Sequence, residues 1–266
     1  MFGFLIKKSF CDGWDNLLSV ILTNVIFLFL GIGIVFLNAF AYLSKFQLFM
    51  ILAFIIASIL ISIVALAYGE SAAKIANFEG IRYADFFKAI PSVFKDALFL
   101  GLLTSAVLII STFSIRYYWS LNTMLGSCLA IFIFWIDIFY ILSIQWFVPL
   151  RSLLKNNFKK CLKKCFIIFF DNTGFSVFMG IYDLVLIAFS VLFIGFFPSI
   201  AGIIIANTNA LRLRLYKYDY LEEHPELKTK KERRQIPWEE LIYEDRETLG
   251  PRKLKSFIFP WKDQEN

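Results

Sequence analysis

Two carboxylates stand where a carboxylate is costly. Asp137 lies in Phe134-Trp135-Ile136-Asp137-Ile138-Phe139-Tyr140, and Asp183 in Ile181-Tyr182-Asp183-Leu184. Each falls near the middle of a long apolar run, where an aspartate costs roughly 2.5 to 3.5 kcal/mol on insertion scales, so each must turn toward a protein interior or a wet cavity. No Lys or Arg lies at a matching depth. An acid so placed takes up a proton, shares one, or binds a cation. Tyr140, Tyr182, Asn38 and Asn207 sit among similarly apolar neighbours and are the groups that would hydrogen-bond to the acids across helices. Asp137, Asp183, Tyr140, Asn38 and Asn207 therefore read in two ways, as an intramembrane proton or cation site or as neutral polar links between helices. Asn24, Thr208 and Asn209 read more simply as links.

Other chemistry has less behind it. Cys161 and Cys165 are one helical turn apart, a spacing open to a metal pair or a palmitoylated pair, but small apolar residues at an interface account for them as well. His224 has no Cys or His at ligand spacing. There is no phosphate-binding glycine loop and no lipase-type serine elbow. The reading is a non-enzymatic protein with no metal and no cofactor.

The elements that must hold these residues are set by apolar length. Leu17 to Phe40, Phe46 to Tyr68, Ala97 to Ile115 and Met124 to Phe147 are each long enough, at 1.5 Å per residue, to cross a hydrocarbon core of about 30 Å. Backbone groups in lipid must pair internally, so the expected fold is all-α, a polytopic transmembrane helix bundle. Apolar residues make up 59% of the chain and charged residues 18%, which excludes an ordinary soluble domain. The first run is too long for the apolar part of a signal peptide and reads as a retained helix.

The stretch from Phe175 to Tyr216 is too long for one crossing. Gly195 and Pro198 place a turn between Phe175 to Phe193 and Phe197 to Tyr216, which makes six crossings the preferred reading and five the alternative. Basic residues alternate between connections. Lys7 and Lys8, then Lys74, Arg82, Lys88 and Lys95, then Arg151, Lys155, Lys159, Lys160, Lys163 and Lys164 mark one side, against only Lys45 and Arg116 on the other. By the positive-inside rule both termini are cytoplasmic, in the inner membrane of a bacterium. The net charge of +6 belongs to residues 1–216, where 16 basic residues face 9 acidic ones, and so reports anionic headgroups as a partner rather than nucleic acid.

Two basic connections look like interfacial helices. Leu154, Phe158, Cys161, Leu162 and Cys165 share one face while Lys155, Lys159, Lys160, Lys163 and Lys164 occupy the other, as membrane-surface residues would. Tyr83 to Lys95 is a weaker copy interrupted by Pro91. Asp12-Gly13-Trp14-Asp15 reads as a helix start with an interfacial Trp. Residues 1–216 form the bundle on this reading, and 217–266 a charged cytoplasmic tail with one short helix around Trp238 to Leu249. Phe257, Ile258, Phe259 and Trp261 add an apolar patch near its end.

The run Ala84-Asp85-Phe86-Phe87-Lys88-Ala89-Ile90, the motif Val148-Pro149-Leu150, the basic helix followed by Asp171-Asn172-Thr173-Gly174, and Pro198 before an Ala/Gly-containing helix resemble the YesL-like family of small bacterial membrane proteins over about residues 10–216. Val148 stands where that family has Tyr, and Phe36 to Phe46 lacks the expected proline. The resemblance implies a helical bundle and a loose association with carbohydrate uptake, and it implies no catalytic residues. Two functions stay open: an accessory or scaffold component, as a homo-oligomer or beside a membrane transport system, and a small transporter or channel built on Asp137 and Asp183.

Overall fold

The computed structural model describes residues 1–43, 47–227 and 235–252, and among them every regular element is a helix. In chain order these are α1 (Phe2–Asp15), α2 (Leu17–Leu43), α3 (Gln47–Ala76), α4 (Tyr83–Ser120), α5 (Met124–Ile144), α6 (Phe147–Leu154), α7 (Phe158–Asp171), α8 (Thr173–Val191), α9 (Ser199–Glu223), α10 (Trp238–Leu241) and α11 (Tyr243–Leu249). Among the described residues five helical segments are long and apolar enough to cross a membrane, Leu17–Phe40, Leu48–Ala76, Tyr83–Ser120, Met124–Leu154 and Thr173–Val191. Their outward side chains are large and apolar, with Phe29, Val35, Phe36, Phe132, Trp135, Leu184 and Val191 all exposed. That surface suits acyl chains and not water.

The expected sixth helix exists, but it is of a different kind. α9 carries Asn207, Thr208, Asn209, Arg212 and Arg214, too many polar groups to be counted with the five. Residues 204–211 are buried without interruption, and eight consecutive positions cover every direction around a helix of 3.6 residues per turn. The middle of α9 is therefore enclosed by protein. It packs on α1, α2, α3, α6 and α8. Its direction is fixed at both ends: Asn24 in α2 donates to the Phe196 and Pro198 carbonyls and accepts from the Ala201 N–H at 2.9 Å, while Asn172, just before α8, donates to the Tyr218 hydroxyl at 2.5 Å. α8 and α9 are an antiparallel hairpin. The turn between them, where Gly195 takes φ +77, rests on Leu28 of α2. α2 runs on for about 22 Å past that point, so the hairpin stops well short of the far end of the α2–α3 pair.

Several elements differ from the sequence expectation for local reasons. The N-terminal flank is a helix, α1, in which Phe4, Leu5, Lys8, Cys11 and Asp12 form one buried face; Asp12 lies inside it and does not start the next helix. The segment from Tyr83 is no separate interfacial helix, because α4 continues through Pro91. The basic connection is two helices, since Lys155 adopts a left-handed conformation (φ 50) that ends α6 before α7 begins. In the tail, Trp238 to Leu249 is split at Ile242, which is fully buried, and α9 extends past residue 217 to Glu223, so the tail and the bundle share a helix. Phe257 to Trp261 lie outside the described residues.

Close packing at the centre depends on one glycine. A Cβ added at Gly101 in α4 would sit 2.5 Å from the Ile59 Cα and 2.9 Å from the Ser58 carbonyl oxygen of α3. Small residues let helix backbones approach this closely, and in lipid, where apolar burial drives little association, such approach contributes to holding the pair.

Candidate functional site

The polar side chains gather at one end of the bundle, where α1, the end of α3, the start of α4, α6, α7, the second half of α9 and the tail helices meet. In α1, Lys8 donates to Asp12 at 2.9 Å, lies 3.6 Å above the Phe78 ring, and is almost fully buried with its partner. Asn209 of α9 also donates to Asp12, at 2.8 Å. Burial is the main force on both charges, lowering the Lys8 pKa and raising that of Asp12, while their mutual contact opposes each shift. Arg212 donates to Asp245 of α11 at 2.9 Å and to the Ala76 carbonyl at the end of α3. Lys7 donates to the Gly250 carbonyl and Arg252 pairs with Asp15. The N-terminal helix and the tail are thus in contact, and both described ends of the chain lie at the same end of the molecule.

A second group joins α3, α4 and α6. Arg151 bonds Asp96 at 2.5 Å and lies 3.6 Å from Glu70, which also receives Lys155. A third joins α7, α8 and α9: Asp171 accepts from Tyr218 at 2.8 Å and from Lys217 at 3.1 Å, and Asn172 accepts from Lys217 at 2.9 Å. Burial works against the Asp171 carboxylate, but these donors outweigh it and hold the group below the ordinary aspartate range. Of the surface lysines, Lys159, Lys160 and Lys163 are exposed on α7 and Lys164 is half-buried, while Lys155 is taken up by Glu70. Cys161 and Cys165 face the core, and burial pushes the Cys161 thiol up to about 11 and that of Cys165 further.

The five intramembrane candidates do not form one cluster. Asp183 accepts from the Asn207 amide at 2.8 Å, joining α8 to α9. Tyr140 bonds Thr104 at 2.9 Å, joining α5 to α4. Asn38 donates to the Ile34 carbonyl of its own helix at 2.8 Å and reaches neither acid. Asp137 has a buried Oδ1 without a hydrogen-bond partner, as do Asp183 Oδ1 and Asn207 Oδ1. Neither carboxylate lines any of three clefts: one of about 370 Å³ between α2 and the start of α9, one of about 530 Å³ around Asn172 and Arg214, and one of about 50 Å³ between α1, α8 and the α9 start. Among the described residues no three His, Cys, Asp or Glu side chains converge as metal ligands would.

The network at the basic end was only partly legible. The buried ion pair of α1 was missed, although the helical recurrence of Phe4, Leu5, Lys8, Cys11 and Asp12 was a signal that could have found it. No sequence signal pairs Arg151 with Asp96 or Arg212 with Asp245, since those contacts depend on how distant helices cross. The fold defines a multi-pass helical membrane protein. Compared with family models, curated proteins and solved structures, the chain matches none.

Proposed function

We propose that the chain is a non-enzymatic accessory or scaffold component of a bacterial inner membrane, related to the YesL-like proteins. On this reading both termini and the basic connections are cytoplasmic, α7 rests on anionic headgroups, and the partner is a membrane transport system or a second copy of the chain. One observation carries the reading. Most of the charged side chains between the helices at the basic end join α1, α3, α4, α6, α9 and α11 to one another, which supports a platform rather than a lined pore. Purification in mild detergent after crosslinking in native membranes should recover one defined partner or a stable homo-oligomer. A lone monomer under several conditions would overturn it.

The second reading, a small transporter, is favoured by a different observation. Asp183, Asn207 and Asp137 each keep a buried oxygen acceptor without a donor, and buried acceptors of that kind suit a proton or a cation. Reconstituted protein that moves protons or cations across liposomes, and loses this with Asp183→Asn, would replace the scaffold reading.

A further inference from the structure

Arg214 is a buried cation without an acid. It is 7% exposed, and its guanidinium carbon lies 3.6 Å over the Phe175 ring and 5.5 Å from the Trp238 ring. Its hydrogen bonds are weak ones, to the Asn172 amide oxygen at 3.4 Å and the Met1 sulfur at 3.2 Å, and its Nε has no partner. Among the described residues no carboxylate is within ion-pair distance of it. A charge taken out of water at this depth requires a counter-charge in contact or a full set of acceptors; Asp171 acts on it only from beyond ion-pair distance, and Nε stays unmatched.

The surroundings supply what an anion would need. Arg214 lines the cleft of about 530 Å³ together with Lys217, Asn172, Thr173, Gly174 and Trp238. α8 begins at Thr173 with no side-chain hydrogen bond capping its N-terminus, directly after α7 ends at Asp171, and Thr173 and Gly174 lie on the cleft wall. Nothing lies within 4 Å of where a Gly174 side chain would start, so a ligand can approach the backbone. Lys217 uses two donors on Asp171 and Asn172 and has a third. The one acid on the cleft wall, Asp171, is already matched by Lys217 and Tyr218.

We infer that this cleft binds a phosphate-bearing anion, with the Arg214 guanidinium as the fork, Lys217 as the second cation and the α8 N-terminus as the backbone cradle. A planar guanidinium beside helix N–H groups fits a tetrahedral oxyanion in two-point contact. The same chemistry is offered by an anionic lipid headgroup and by a soluble phosphate. Ile236 and Trp238 form part of the wall, so the bound anion also fastens the tail segment to the bundle.

The test uses the full chain in a neutral detergent at constant ionic strength. Thermal unfolding is followed against inorganic phosphate in one arm, and against micelles doped with phosphatidylglycerol or with phosphatidylcholine in another. A dose-dependent rise in melting temperature with phosphate assigns a soluble ligand, and a rise with phosphatidylglycerol but not phosphatidylcholine assigns the headgroup. Lys217→Gln and Arg214→Lys should each weaken the apparent affinity about tenfold, as loss of a charge-assisted contact does. Absence of a shift in both arms, or a shift retained in either folded variant, overturns the site. Neither result depends on whether the protein is a scaffold or a transporter.

Discussion

Asp183 and its partner separate the roles of a buried carboxyl. The Asn207 amide donates to Asp183 Oδ2, and Asp183→Asn preserves shape and an acceptor while removing the ability to ionise. Its melting temperature in detergent should stay near that of the wild type. Asp183→Leu leaves the Asn207 amide without an acceptor and should cost about 0.6 to 2 kcal/mol. Equal stability in both variants would mean that the contact holds nothing together. Lys8 is expected to be far more sensitive. Lys8→Met strands Asp12 in the interior with only Asn209 to bond it, at a cost of about 3 kcal/mol by chemical denaturation, and adding Asp12→Asn should recover part of the loss. Asp171 gives a pH signature. Its folded-state pKa is lowered, so its contribution is complete above the unfolded value near 3.9 and is lost as pH falls through the folded value. The stability advantage of the wild type over Asp171→Asn should thus hold at about pH 6 and begin to fall only below about pH 4, whereas loss already near pH 6 would contradict the lowered pKa. At this scale the sequence marked buried polar groups in the apolar runs and was a poor guide to their partners. Depth in an apolar run marked Asp183 and Asn207; nothing in it distinguished Asn38, whose amide turns back to its own helix.

Among the elements, the α3–α4 pair rests on backbone approach at Gly101. Gly101→Ala puts a methyl against main-chain atoms of Ile59 and Ser58 that have no flexible end to move. The expected cost is about 1 to 3 kcal/mol, read as a lower melting temperature with helix content unchanged; a neutral substitution would show that the helices are less tightly apposed. Long elements were the most legible, because apolar runs of bilayer length admit few alternatives. Breaks within them were less so. Thr123 caps α5 by accepting from the Gly126 N–H at 3.1 Å, a start that its residue type announces. The stop at Lys155 coincides with contacts to neighbours, since Asp96 and Glu70 hold Arg151 on one side of the break and Lys155 itself pairs with Glu70. α9 was legible as a helix and illegible as an enclosed one, for enclosure depends on the five helices around it.

For the whole molecule, α8 and α9 form a hairpin that brings the chain back, so that α1, the basic helices α6 and α7 and the tail helices lie together at one end, with the α4–α5 turn opposite; the proposed topology makes that end cytoplasmic. The contacts of Lys7 with Gly250 and of Arg212 with Asp245 place α1, the second half of α9 and the tail helices at one end. The positive-inside rule assigns the side. The most direct measurement is sided labelling of single cysteines, in a background where Cys11, Cys128, Cys161 and Cys165 are replaced by Ser or Ala, at Tyr243 in α11 and Leu121 in the α4–α5 turn, both exposed. An impermeant maleimide should label Leu121→Cys in intact cells and Tyr243→Cys only after the membrane is opened. Labelling of both positions in intact cells, or of Tyr243→Cys alone, would contradict the arrangement.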